Sequence, residues 1–359
     1  MIYFNCDYNE GAHDNIMQAL VKTNMEQTVG YGCDEHCRHA ADMIRKFAKC
    51  PDADVHFLVG GTQTNETVIT AALRSHQGVL AADTGHINVH ETGAIEACGH
   101  KVLALPSVDG KITAKQIDDY YKAHISDASF EHIVQPKMVY ISLPTELGTM
   151  YTLKELKDIY EVCKADRLYL FVDGARLGYG LSAVSNDISL PDLARNCDVF
   201  YMGGTKQGLL FGEAVVITND ALKEDFRYII KQKGGMLAKG RLLGVMYEAA
   251  LCDEKGIETD SFDDTLYMKL ANHADQMADK IRACLDGLGI SYLVKNDTNQ
   301  IFSIFKDSVL KELGKDFALS YQERVDEEQS AVRICTSWAA KEDAVEKLCQ
   351  AIERLCFLS

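Results

Sequence analysis

Two short segments, YLFVDGARLG from Tyr169 and YMGGTKQG from Tyr201, each follow an apolar run with charged residues. Asp173 and Arg176 close the first, and Lys206 the second. A carboxylate with apolar neighbours needs a partner, because burying it unpaired is expensive; capping a following helix would also account for it. A lysine in this place is either a surface charge or an amine whose pKa falls on burial, the kind that forms Schiff bases. Upstream, VHFLVGGTQTNETVITAALR reads as a strand, a Gly-Gly-Thr turn and a helix starting near Thr62. Free N–H groups at a helix start, reached past glycines, make an anion cradle. The same turn also serves as a plain strand-to-helix connection. It is neither a P-loop nor G-x-G-x-x-G. Singly, each feature has a bland reading. Together they match what pyridoxal 5′-phosphate (PLP) requires: donors for a phosphate, an acid for a ring nitrogen, and an amine for an aldehyde.

Such residues must stand at strand ends, since ligands of open α/β sheets sit beyond the carboxyl ends of the strands. Seven short apolar runs supply the strands, at 55–60, 78–83, 101–106, 137–143, 168–173, 198–203 and 213–218. They are continuous rather than alternating, as expected for strands covered on both faces. Amphipathic stretches such as 152–165 lie between them, which predicts a mainly parallel seven-stranded sheet in an α/β domain. After Phe226 the pattern changes. Residues 240–286 read as helical, 291–305 and 330–338 as strands, and 341–356 as a helix. The expected organisation is an N-terminal segment (1–20) packing across the domains, a large cofactor-binding domain (21–250) and a small α+β domain (251–359).

The bulk numbers narrow the function. The chain has 359 residues, 47% of them hydrophobic, which is enough for that organisation. A formal net charge of −16 disfavours nucleic acid and anionic membrane. No run of eighteen apolar residues suggests a membrane span, and the N-terminus does not read as a signal peptide. Twelve scattered cysteines suit small buried hydrophobes in a reducing cytosol, so the expected location is cytoplasmic. In CDEHCRH (33–39), Cys33, His36, Cys37 and His39 lie close together, but no second ligand pair follows. HINVHE is not H-E-x-x-H, and no metal is expected.

The motifs GGTQTN (60–65), GHINVHETGAIEACGHKV (85–102), FVDGARLGYGL (171–181), GGTKQG (203–208), KGGMLAKG (233–240) and VRICTSW (332–338) resemble, in order and spacing, the low-specificity L-threonine aldolases. These belong to the β-eliminating lyase branch of the PLP-dependent transferase fold type I. The resemblance implies that Lys206 forms the Schiff base, that Asp173 pairs with the pyridinium nitrogen, and that Gly61, Thr62 and Gln63, with Thr205, hold the phosphate end. It implies that His86 stacks on the ring near the substrate β-hydroxyl. Arg176 and Arg333 would meet the substrate carboxylate, for which a guanidinium fork suits geometry and charge. Tyr31 falls in a loop expected near the site. The implied reaction is retro-aldol cleavage of β-hydroxy-α-amino acids such as L-threonine or L-allo-threonine. His86 is the first candidate for proton handling, then His90 and Glu146. A homodimer or homotetramer with shared sites is also implied.

The chain departs from that pattern in places. Cys6 stands where relatives carry a serine that touches the carboxylate, and His90 where they carry a tyrosine. LPTELGT (143–149) lacks their histidine and offers Glu146 instead. The basic residue lent to a neighbour's phosphate would be Lys233, Lys231 or Lys239. These changes leave β-elimination or Cα–H chemistry of the same site as alternatives. A non-catalytic PLP carrier would not need the arginine clamps, and no dinucleotide fingerprint supports a dehydrogenase.

Overall fold

The computed structural model describes residues 1–358. The chain opens on a two-residue strand, β1 (Ile2–Tyr3), then builds β2 (Asp54–Leu58), β3 (Gln77–Ala82), β4 (Lys101–Leu105), β5 (Gln135–Ser142), β6 (Tyr169–Asp173), β7 (Val199–Gly203) and β8 (Glu213–Ile217). These last seven form one sheet in the order β2-β8-β7-β6-β5-β3-β4. All seven runs read from the sequence are strands of this sheet, shifted by a residue or two at their ends. β3, β5, β6, β7 and their outer neighbour β4 are parallel, and β8 runs antiparallel to both β7 and β2. Continuous Val, Ile, Leu and Phe runs bury both faces. Leu80, Val139, Leu170 and Phe200 point into one apolar cluster, and Val79, Met138, Phe171 and Val199 into the other. Period-two alternation of side chains divides neighbouring residues between the two layers.

The reversal at β8 has a simple cause. Only the short segment 204–212 joins β7 to β8, and its hydrogen bonds Gly204 N–Gly212 O (2.8 Å) and Thr205 N–Gly212 O (3.2 Å) close it as a hairpin. A parallel return would need a crossover of a dozen or more residues. Glu213, the first residue of β8, therefore stands opposite Gly203, the last of β7. It faces the same sheet edge as the carboxyl ends of the other strands.

A second sheet follows, antiparallel, in the order β12 (Ser320–Arg324), β13 (Gln329–Cys335), β10 (Gln300–Lys306) and β9 (Tyr292–Val294). The stretch expected as one strand over 291–305 breaks at 295–299 into β9 and β10. The helical stretch 240–286 is two helices, Arg241–Leu251 and Leu266–Gly287, parted where Gly256 adopts φ +76°. The sequence reading missed β12 because SYQER carries no apolar alternation and lies mostly exposed. It also missed β11 (Phe317–Ala318), which pairs with β1 in parallel, and the helix Asp307–Leu313. Phe4 is buried in the C-terminal apolar cluster and Ile16 in the main one, so the first residues bridge both sheets. No helix among the described residues is long and apolar enough to cross a membrane.

Close packing at the strand ends demands glycine. A Cβ on Gly174 would lie 1.9 Å from the Tyr201 carbonyl oxygen, where only the β7 backbone could yield. Gly174→Ala is expected to destabilise the protein by about 2 kcal/mol or more. Urea denaturation midpoints of the variant and parent measure this.

Candidate active site

The strand ends open onto a cavity of about 970 Å³. It is lined by Gly60, Gly61 and Thr62 after β2, His86 and His90 after β3, Ser142 and Glu146 at β5, and Asp173 and Arg176 at β6. Thr205 and Lys206 after β7, Glu213 of β8, Gln322 of β12, Arg333 of β13 and Tyr8 of the N-terminal segment also line it. The structure thus gathers Lys206, Asp173, Arg176, His86, His90, Gly61, Thr62, Thr205 and Arg333 from the sequence-derived candidates into one space.

Asp173 is almost fully buried and is satisfied by neutral donors. Tyr201 donates to its Oδ1 (2.5 Å), as does the Ala175 N–H (2.9 Å). Its Oδ2 accepts from the Tyr140 hydroxyl (2.5 Å) and from Asn65 Nδ2 (3.3 Å). No cation among these partners neutralises it, so its charge remains available to a cationic ligand. Tyr140, Tyr201 and Asn65 were not singled out in the sequence. A tyrosine inside a two-sided apolar strand is the signal that could have found the first two, since a buried phenol seeks a partner.

The helix Gly61–Ala72 begins at the cavity wall. Its N-cap, Gly60, is extended and offers no side-chain acceptor, so the first N–H groups face the cavity uncapped. Gln63 does not line the cavity. Its side chain turns away, accepting from Val59 N (3.3 Å) and donating to Lys233 O (3.1 Å). Thr205 likewise spends its hydroxyl within the hairpin, donating to Glu213 Oε1 (2.8 Å) and accepting from Gly212 N (3.0 Å). Burial depresses the Lys206 ammonium below the usual lysine range and Arg176 adds to this, against Asp7, Asp173 and Glu213. Uncapped donors, an acid and an easily deprotonated amine form a donor set for an anionic aldehyde that carries a basic ring nitrogen.

His86 opens a one-turn helix after β3. Its Nδ1 pairs with Glu91 Oε1 (2.6 Å) and its backbone N–H donates to Glu146 Oε1 (2.8 Å). Because a carboxylate only accepts, Nδ1 carries the hydrogen, and in the neutral ring Nε2 is the acceptor. Glu91 is buried and also accepts from Asn65 Nδ2 (2.7 Å). A continuous chain therefore runs from His86 through Glu91 and Asn65 to Asp173. Glu91 follows the second histidine of HINVHE, where a failed metal motif hid a working pair. Burial raises the Glu146 carboxyl above its ordinary value, although Ser142 donates to it (2.6 Å). His90 stands 5.6 Å from His86, ring to ring, and is shifted down by burial and by the cations around it.

The two arginines differ. Arg176 is forked onto Asp7, with Nε–Oδ2 2.7 Å and a second bond of 3.0 Å, so those donors are not free for a ligand. Arg333 donates to Gln300 Oε1 (3.1 Å) and to the Asn5 carbonyl (2.9 Å), and its buried Nε has no partner. Asp7 was not foreseen; it comes from the N-terminal segment that β1 threads past β11. Cys6 is buried beside it, donates to Asn9 Oδ1 (3.1 Å) and does not line the cavity.

Tyr31 and Lys233 stand outside the cavity of this chain. Tyr31, exposed and at φ +64°, lines a separate cleft of about 250 Å³, and Lys231 lies 5.2 Å over its ring. Lys233 Nζ is 2.8 Å from Cys98 Sγ. In the 33–39 segment, His36 and His39 both pair with Glu248, at 2.6 and 2.8 Å. Among the described residues, no group of three or more His, Cys, Asp or Glu is placed to hold a metal ion.

The Asp7–Arg176 fork predicts an acid response. Burial alone would raise the Asp7 carboxyl, but Arg176, Lys206 and the hydrogen bonds outweigh it and hold the value at about 2, against 3.8 unperturbed. A depressed carboxyl stabilises the fold above the unfolded value, and the contribution is lost as pH falls through the folded one. It is worth about 2 kcal/mol at neutral pH. Asp7→Asn should lose at least that much at pH 7 and show a flatter stability profile between about pH 4 and pH 2. Urea midpoints taken across that range test it.

Comparison with known proteins agrees with this geometry. Residues 7–308 match the family model for β-eliminating lyases. The chain is 30% identical over 312 residues to a low-specificity L-threonine aldolase of a Pseudomonas species, with 86% of each covered. It is 28% identical over 313 residues to one from Pseudomonas aeruginosa, also covering 86% of each. It superposes on the threonine aldolase of Leishmania major with a TM-score of 0.92 at 43% identity, covering 99% of this chain and 100% of that one. Aspartate aminotransferase from Thermus thermophilus, 12% identical and covering 99% and 91%, shares the fold with a TM-score of 0.70. Because the family model covers residues 7–308, most of the chain and the whole large sheet that carries the acid, the amine and the uncapped helix start, the chain belongs to the β-eliminating lyase family.

Proposed function

We propose that this chain binds PLP through Lys206 and cleaves β-hydroxy-α-amino acids, such as L-threonine and L-allo-threonine, to glycine and an aldehyde. The observation that carries this reading is the convergence of Lys206, Asp173 and the uncapped start of Gly61–Ala72 on one cavity. The relatives named as threonine aldolases support the substrate class. When bound, PLP supplies an electron sink for the pair left on Cα.

The chain's own residues do the rest. The N–H groups of Gly61, Thr62 and Gln63 receive the phosphate. Asp173, held by two tyrosines and an asparagine, keeps its charge for the ring nitrogen and favours the protonated form. Arg333 receives the substrate carboxylate, since it lines the cavity and its guanidinium is bonded only to neutral oxygens, those of Gln300 and Asn5. Arg176, locked on Asp7, sets the field around that carboxylate. His86 Nε2 accepts the β-hydroxyl proton, and Glu91 on the opposite nitrogen stabilises the imidazolium that results. Glu146 orients His86 through its backbone N–H.

The assembly we infer is a homodimer or homotetramer. Exposed Met17 and Val21 lie on the helix Asp14–Thr23, and exposed Met25, Val29 and Tyr31 follow it in the chain. Lys231, Lys233 and Lys239 lie outside this chain's own cavity, and in such an assembly one of them reaches a neighbour's phosphate, Lys233 by leaving Cys98 or Lys231 by leaving the Tyr31 ring. Twelve scattered cysteines favour a reducing, cytoplasmic setting.

The test is a product assay on protein loaded with PLP. L-threonine or L-allo-threonine should yield glycine and acetaldehyde; pyruvate and ammonia without glycine would replace the aldolase reading by β-elimination. Borohydride should fix the cofactor to Lys206, and Lys206→Ala should abolish both fixation and turnover. His86→Phe, which keeps an aromatic ring, should retain the cofactor but lower kcat by about a hundredfold or more. Arg333→Lys should act mainly on KM, raising it about tenfold or more, because a point charge replaces a fork.

A further inference from the structure

Two consecutive residues at the start of β10 serve the two arginines, and they serve them differently. Asn299 is fully buried, and its Nδ2 donates to Asp7 Oδ2 (2.9 Å), the carboxylate that forks Arg176. Gln300, the first residue of β10, is fully buried as well. β10 and β13 set Phe302 opposite Arg333, so Gln300, two residues earlier, stands on the same face, diagonal to the arginine. Arg333 Nη1 donates to Gln300 Oε1 (3.1 Å). A guanidinium has no acceptor, so it is the amide oxygen that faces it. The amide nitrogen is buried and has no partner among the described residues. Arg333 Nη2 donates to the Asn5 carbonyl (2.9 Å). Both acceptors are neutral, and each terminal nitrogen of Arg333 keeps a second N–H.

We propose that Gln300 is a positioning residue that sets specificity: it holds the Arg333 guanidinium at the cavity wall without neutralising it, and so makes the site select ligands that carry an α-carboxylate. It acts through Arg333, and the inference rests on the reading that Arg333 receives that carboxylate.

Packing and charge alone would favour glutamate at this position. A carboxylate of the same length would meet the guanidinium charge to charge and leave no N–H without a partner, and a buried donor left unmade is costly. The chain uses that solution at Arg176, where Asp7 takes two hydrogen bonds. At Arg333, which lines the same cavity, it uses an amide. The difference falls on the ligand. A cation already joined to a carboxylate attracts a second one weakly, because the two anions repel. A cation held by an amide oxygen has a fixed direction and its whole charge.

The test compares glycine, which carries the carboxylate, with methylamine, which lacks it. Each is titrated into PLP-loaded protein, and the change in the visible band gives its dissociation constant. In Gln300→Glu, glycine should bind about tenfold more weakly or worse, and methylamine within about twofold of the parent. KM for L-threonine should rise by a similar factor with kcat changed less, since the carboxylate is held in ground and transition states alike. A residue that only supports the fold would weaken both ligands together. Gln300→Met keeps the size and removes the acceptor, leaving the guanidinium charged but unheld. Glycine should then lose about threefold, with methylamine unaffected. This variant serves if the Glu variant does not fold, which urea midpoints report. Unchanged glycine affinity in the folded variant, or equal losses for both ligands, overturns the proposal. Arg333→Leu tests the reading beneath it and should lose glycine selectively. If it binds glycine as the parent does, or if the chain takes up no PLP, that reading falls and the inference with it. If it loses glycine while Gln300→Glu does not, only the inference falls.

Discussion

Charge brought out of water at one edge of a sheet is the constraint on which this molecule is built. Asp7, Glu91, Asp173 and Glu213 are buried there, close to Lys206, Arg176 and Arg333. A buried charge without a partner is several kcal/mol unfavourable, so each carboxyl has acquired donors. What differs is the kind of donor. Asp7 is matched by a guanidinium and becomes structural. Asp173 and Glu213 are matched by hydroxyls and N–H groups, which hold their positions without adding a positive charge. The same edge thus separates groups that fasten the protein from groups that can answer a ligand.

The fastening has a mechanical consequence. Asp7 lies on the N-terminal segment, whose backbone also docks on the small sheet: Phe4 O accepts from Cys335 N (2.8 Å) and Asn5 O from Arg333. One strap therefore ties Arg176 of the large sheet and Arg333 of the small one to the same few residues. The cavity is built where both sheets meet this strap, and its shape depends on a fork between residues 169 positions apart. Relative motion of the two sheets would have to lengthen these contacts or carry the strap along.

The sequence disclosed the scaffold well, and for a definite reason. Two-sided burial forces continuous apolar runs, and these stand out against amphipathic helices; all seven strands of the large sheet were found that way. Strands without that burial left no such mark. β12 is polar and exposed, and β1 and β11 are two residues each. At the site, Lys206 and Asp173 were legible because a charge at the end of an apolar run is chemically costly unless something answers it. Glu91 and Glu213 carry the same charge, but His90 beside Glu91 and the polar, glycine-rich segment before Glu213 made them look like surface residues. Asp7 gave no sign at all, since its partner lies in a different part of the chain.

The sequence by itself determined the local facts: which runs must be strands, where the helix Gly61–Ala72 begins without a cap, and which amine and acid stand at strand ends. These follow from burial and backbone donors, which act between near neighbours. Only the tertiary structure decided which charges meet. It forked Arg176 onto Asp7, left Arg333 the freer cation, joined His86 to Asp173 through Glu91 and Asn65, and set Glu213 in the same cavity wall as Lys206 by reversing one strand. Electrostatic pairing depends on distance in space, and sequence spacing does not encode distance until the sheet has set its order.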